Sequence, residues 1–307
     1  MRAAGVGRET ARMIPNSNRT TAPTRTPQER ALAHVTALSN GGPLETSLRV
    51  TLNFHPDRWA RGRPILDALA ADGVYRSQFV TGTSNGGLTA HPGGDRWRWE
   101  SRIFAGAYDE APAEARPVYG ALNFRADAYG AAPRFGSAYF RLTAQTLSRT
   151  TFCYPDSHLE PTDFGVADRM RLVELALAEG RDALDDYVEA QVHGPVRLAQ
   201  DVEALVLDPC YRGTSVESAA RRLGCAVEWH PGYQLDVEEL RRHADYRGPE
   251  YVELGASLAV DGVLHAGLIG DALRSGRHAE QDLKKVWHCL ARFGRRVPAS
   301  RRSTLRA

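Results

Sequence analysis

The run TLNFHPDR ends an apolar stretch in His55, Asp57 and Arg58, beside Pro56. Side chains leaving a strand end are well placed to reach a ligand, and Arg offers a planar fork of donors for ribose hydroxyls or phosphate oxygens. An Asp57–Arg58 surface ion pair in a turn is the plainer alternative. Further on, TGTSNGG (81–87) gathers the hydroxyls of Thr81, Thr83 and Ser84 with Asn85 and three glycines. It has neither the P-loop spacing nor G-x-G-x-x-G, so it reads as a polar nest for a ligand or as an Asn-Gly hairpin turn. In YVEAQVHGPVRL, Glu189, Gln191 and His193 alternate with Val188, Ala190 and Val192. Period two puts the three polar residues on one strand face, which lines either solvent or a cleft. CYPDSHLEPTD offers Cys153, Asp156, His158, Glu160 and Asp163, in no established metal spacing. Asp156 and Ser157 suit turn and cap chemistry there, and Cys153 with His158 is a formal nucleophile–base pair.

These stretches need elements to position them. PQERALAHVTAL reads as a short amphipathic helix, SLRVTLNF as a strand, and RPILDALAADGVY as a helix closed by Gly73 and followed by a strand through VYRSQF. RPVYGALNF, RFGSAYFRL and RTTFCYPD are short strands separated by turn residues, and further strands are expected around 188–192 and 204–207. FGVADRMRLVELALAEG, SVESAARRLG, DVEELRRHADY and DLKKVWHCLARFG read as helices, and CAVEWHPGYQL as a strand with a turn.

The chain has 307 residues, 42% hydrophobic and 25% charged, the composition of a globular protein with a sizeable core. The net charge of +2 is unevenly spread: residues 1–30 carry six Arg and two Glu, and residues 284–307 two Lys and six Arg without an acid. Solvated termini explain this, and nucleic-acid contact through the tails is the alternative. Four cysteines without a C-x-x-C pair indicate neither a disulfide framework nor a zinc knuckle. The absence of a long apolar run, or of an apolar core in the basic N-terminal region, predicts no membrane span and no secretory signal. A cytoplasmic location, or export by a non-classical route, is expected.

In this order the pieces resemble the ADP-ribosyltransferase superfamily. A strand ends in His or Arg, a helix and glycine lead into VYRSQF and a Thr/Ser motif, and a late Glu lies in a strand running into QVHGPV. TGTSNGG, RPVYGALNF, FGSAYFRL and EAQVHGPVRL are also similar to a bacterial domain family of unknown function, over roughly residues 40–290. The superfamily resemblance implies an α+β fold, a single domain with a split, mostly antiparallel β core and flanking helices. It implies NAD as the substrate, split by glycosyl transfer. Glu189 would be the catalytic carboxylate, stabilising the oxocarbenium-like ribose. His55 or Arg58 would grip the ribose or diphosphate, and Tyr75 or Phe79 would stack on the nicotinamide. Thr83 and Ser84 would support the strand carrying the site, with Gln78, Thr81, Asn85 and Gln191 completing the binding set. Two places depart from the pattern. Thr81-Gly82-Thr83-Ser84 stands where Ser-Thr-Ser is usual, and Tyr187 stands where a Gln or Glu often precedes the catalytic Glu.

The expected organisation is a disordered basic leader (1–27), an α+β catalytic-like domain (28–294) and a disordered basic tail (295–307). The expected function is an NAD-dependent ADP-ribosyltransferase or NAD glycohydrolase of the kind found in effectors and toxins. Its acceptor would be protein, nucleic acid or water. The alternatives are a non-enzymatic interaction module with basic tails and a metal-dependent hydrolase.

Overall fold

A computed structural model describes residues 25–60, 62–82 and 89–296. The expected leader and tail fall mostly outside these residues, as do Thr83, Ser84 and Asn85. Alternating apolar residues build an eight-stranded sheet from β1 (Val50–Phe54), β2 (Val118–Leu122), β3 (Ala138–Leu142), β4 (Thr150–Tyr154), β5 (Asp163–Val166), β6 (Val188–Val192), β7 (Val202–Leu207) and β8 (Ala226–Trp229). The spatial order is β8-β7-β3-β1-β2-β6-β4-β5. Only the β7–β8 pairing is parallel; the remaining neighbours in this sheet run antiparallel. The fold is mixed α/β with a mostly antiparallel sheet, as expected.

The sheet forks at its centre. β1 and β2 register only at Val50↔Leu122 and Thr51↔Ala121, then diverge, although each continues for three more residues. Close approach just beyond the last pair requires Gly120. A Cβ there would lie 2.5 Å from Leu52 Cδ2 and 2.6 Å from the Thr51 carbonyl oxygen. The separated strands leave room between them for a cleft.

The two sheet faces have different chemistry. Leu52, Phe54, Phe140, Phe152, Val188 and Ala190 bury one face in a core with Leu66 and Leu69 of α2 (Ile65–Asp72) and Leu172 and Ala176 of a later helix. The other face carries Thr51, Asn53, Tyr119, Thr151, Cys153, Glu189 and Gln191. Part of it lies beneath α1 (Pro27–Leu38) and α3 (Asp95–Ile103), whose Ala31, Val35, Trp99 and Ile103 pack on Cys153. The later helix is α4 (Leu172–Glu179), closed by Gly180 in the left-handed region. A second core joins α5 (Ser215–Ala220) and, more centrally, α6 (Val237–Arg241), α7 (Pro249–Leu258), α8 (Ala266–Arg274) and α9 (Glu280–Phe293) around Trp287.

Two segments differ from the sequence reading. The strand expected through VYRSQF stops at Tyr75, and Gln78–Thr81 is a single helical turn ended by Gly82 in the left-handed region. The helix expected from Phe164 begins only at Leu172. Asp163–Val166 is taken by β5, because β4 has an open edge there and pairs with it from Thr151↔Val166 to Tyr154↔Asp163. An unfilled sheet edge outweighs the weak helical periodicity of this stretch. Helices α3, α7 and α8 have no counterpart in the sequence reading.

Candidate active site

At the fork lies a cleft of about 870 Å³ lined by residues from distant parts of the chain. His55 and Arg58 come from the end of β1, Tyr75, Gln78 and Thr81 from the segment after α2, and Glu189 from β6. Six of the sequence-derived candidates therefore share one hollow. Gln191 does not line it but supports Glu189 from behind. Phe79 lies outside the lining, its ring face 4.3 Å from the Arg116 guanidinium carbon.

Glu189 occupies the inner end, with Ala121 and Cys153 as its cross-strand partners. One carboxylate oxygen accepts from the Ser157 hydroxyl at 2.8 Å and the Ser157 amide at 3.2 Å; the other accepts from Gln191 Nε2 at 3.1 Å. Arg96 Nη1 lies 3.8 Å from this second oxygen and donates to the Ser157 hydroxyl at 2.7 Å. Burial pushes the Glu189 carboxyl above its usual range, and the nearby Asp156 adds to this. Arg96 and the two Ser157 hydrogen bonds oppose the shift and favour the carboxylate. An oriented, largely desolvated carboxylate of this kind can stabilise developing positive charge.

Behind Glu189 the polar face continues as a buried chain of hydrogen bonds. Thr151 Oγ1 meets Gln191 Oε1 at 2.9 Å and His193 Nε2 at 3.0 Å, and His193 Nδ1 meets the Tyr108 hydroxyl at 2.7 Å. Burial lowers the His193 pKa to about 3, so the imidazole is neutral. Gln191 and His193 are fully buried, so the stripe faces neither bulk solvent nor, along its whole length, the cleft. Only its first member reaches the open space.

Arg96 and Tyr119 were not singled out in the sequence, where Tyr187 stood only as a departure from the superfamily pattern and Ser157 only as a turn or cap residue. Arg96 is 4% exposed, lines the cleft, and holds its guanidinium carbon 4.0 Å from the centre of the Tyr119 ring. Its Nε has no hydrogen-bond partner among the described residues. Tyr119 donates to Glu100 Oε1 at 2.9 Å, and Arg116 pairs with Glu100 Oε2 at 2.6 Å. A usable signal existed in DRWRWESRI: Arg96 and Glu100 share a helix face with the buried Trp99 and Ile103. Charges on an apolar stripe are costly unless paired, and so point to a built site. Tyr187 donates to Asp156, which also accepts from the His158 amide as the cap of a short turn. The turn role expected of Asp156 is present, and Ser157 has the added role of gripping Glu189.

At the outer end, His55 is buried with its ring edge-on to Trp287, 4.8 Å between centroids. Burial, then Arg58 and His288, hold its pKa well below the usual value. His55 is thus a neutral imidazole. Arg58 pairs with Glu280 across the cleft mouth. Asp57 pairs instead with Arg274 at 3.5 Å, so the Asp57–Arg58 surface pair considered from sequence does not form. Tyr75 is held edge-on between Phe54 and Phe140, and Gln78 Oε1 is buried without a hydrogen-bond partner among the described residues. Cys153 is fully buried and its thiol is pushed up by burial and by Glu189, so it is no thiolate nucleophile. Among the described residues no group of three or more His, Cys, Asp and Glu could hold a metal ion, and no helix is long and apolar enough to cross a membrane.

These features define a mixed α/β protein with a forked antiparallel sheet and a buried carboxylate at the base of the fork. Residues 49–181 and 169–293 match the family described as "Protein of unknown function (DUF3626)", and the chain belongs to that family. No curated protein matches it.

Proposed function

We propose that the cleft binds NAD and that the chain breaks its nicotinamide–ribose bond, as an ADP-ribosyltransferase or NAD glycohydrolase. The observation that carries this reading is the meeting of the β1 end, the 75–81 segment and Glu189 in one cleft large enough for a dinucleotide. In the reaction, the glycosidic C–N electron pair leaves with nicotinamide, which departs neutral. The anomeric carbon takes up positive charge, and an acceptor oxygen or nitrogen bonds to it with loss of a proton. Glu189, held by Ser157 and Gln191, would stabilise that charge, the logic that carboxylates serve in glycoside hydrolysis. The unpartnered Gln78 Oε1 would accept from a carboxamide or hydroxyl, and aromatic faces such as Tyr119 and Tyr187 would bound the inner end.

The test is incubation with NAD and detection of free nicotinamide, with and without added protein or nucleic acid as acceptor. Glu189→Gln should lower turnover by ~10²-fold or more, the scale for losing one transition-state stabiliser, with NAD binding retained. No nicotinamide from the wild type under any acceptor condition, or an equally active Glu189→Gln protein, removes the assignment.

A further inference from the structure

The rings that the sequence offers for stacking are already engaged. Tyr75 is held edge-on between Phe54 and Phe140, and Phe79 lies outside the cleft lining with its face toward Arg116. The ring open to the cleft is Trp59, which lines it and is 59% exposed. The other large hydrophobic side chains exposed among the described residues are Leu38, Leu159, Leu177 and Val260, all aliphatic and none in the lining. Single aliphatic groups on a surface need no explanation, but an indole left in water inside a cleft presents a large flat apolar face to whatever enters. Among the described residues that ring stacks on no aromatic group and carries no guanidinium over its face.

The backbone under Trp59 is pinned. Trp59–Ala60 pairs antiparallel with Arg63–Pro64, with Trp59 opposite Pro64. The Ile65 amide donates to the Arg58 carbonyl at 2.9 Å and closes this small ladder at the Trp59 end. The ladder rests on α2, whose Ile65, Ala68 and Leu69 also line the cleft. Arg58, the residue before Trp59, pairs with Glu280 across the mouth. The outer end of the cleft thus has an indole on a fixed backbone and aliphatic side chains, whereas the inner end has Glu189, Arg96 and Tyr119.

We propose that Trp59 is the base platform of the cleft, stacking on the adenine of a dinucleotide whose nicotinamide end lies toward Glu189. Stacking on an aromatic side chain tolerates any base, so Trp59 supplies affinity and orientation rather than a choice among bases. The proposal rests on the cleft being a nucleotide site, but not on any reaction occurring there.

Calorimetry and tryptophan fluorescence with ADP test it. ADP should bind the wild type and quench the emission of Trp59. Trp59→Ala should weaken ADP by about tenfold or more, the scale of losing one stacked ring. Trp59→Phe keeps a ring and should retain most of the affinity, with the quenching lost. Equal ADP affinity in wild type and Trp59→Ala, a Phe variant as weak as the Ala variant, or no ADP binding by the wild type overturns the platform. ADP binding that depends on Trp59 without any nicotinamide release from NAD would sustain the platform and remove the enzymatic reading. Nicotinamide release with the same KM for NAD in wild type and Trp59→Ala would do the opposite.

Discussion

Replacing Arg96 by Gln removes the cation that favours the ionised form of Glu189. The separation is 3.8 Å, and at an effective dielectric constant of about 20 the attraction is roughly 4 kcal/mol, equivalent to about three pKa units. Solvent in the open cleft and the surviving Ser157 hydrogen bonds reduce this, and a shift of ~1–3 units is expected, the usual range for a charge at this distance. The direction is fixed by the sign of the charge. Burial already holds the Glu189 carboxyl above its usual value and Arg96 pulls it down, so the variant's carboxyl titrates higher still. In the proposed reaction, which uses the ionised form, the acid limb of nicotinamide release moves to higher pH by the same interval. Arg96→Lys, which keeps the charge, should move it much less. A titration of the Glu189 carboxyl carbon by NMR reads the same shift without relying on turnover. An unchanged Glu189 pKa in the folded Arg96→Gln protein refutes the claim that this pair controls the carboxylate.

Two further outcomes follow from the same architecture. Gly120→Ala places a methyl 2.6 Å from the Thr51 carbonyl oxygen at the fork, and should cost ~1–3 kcal/mol of stability, read as a lowered denaturation midpoint; an unchanged midpoint contradicts the close approach of β1 and β2. Burial raises the Glu100 carboxyl to about 7 despite its pairing with Arg116. Its unfolded value is near 4.5, so its contribution to stability is fully present below that pH and is lost as pH rises from 4.5 through about 7. Chemical denaturation across that window should show stability falling with pH, by up to ~3 kcal/mol from this group, and Glu100→Gln should flatten the slope while lowering stability overall by leaving Arg116 unpaired. A slope identical in wild type and variant would assign the pH dependence elsewhere.

Local pattern was enough to place most of the strands that form the sheet, Asp163–Val166 excepted, and to put Glu189 on a polar strand face, while its choice as the acid came from the family resemblance. Val50–Phe54, Val118–Leu122, Ala138–Leu142 and Val188–Val192 were legible because apolar alternation and bounding turn residues are properties of a few consecutive positions. Alternation likewise placed Glu189, Gln191 and His193 on one face, but could not say what covers that face. α1 and α3 cover part of it, leaving Glu189 at the cleft and enclosing Gln191 and His193. Arg96 and Ser157 belong to the site only through contacts between segments far apart in the chain: residue 96 meets 189, and 157 meets 189. The same holds for charge. His55 and Arg58 look like cations ready for phosphate when read along the chain, whereas burial against Trp287 neutralises one and Glu280 pairs with the other. Strand periodicity is written in neighbouring residues, but the protonation and pairing of a side chain depend on what folding packs around it.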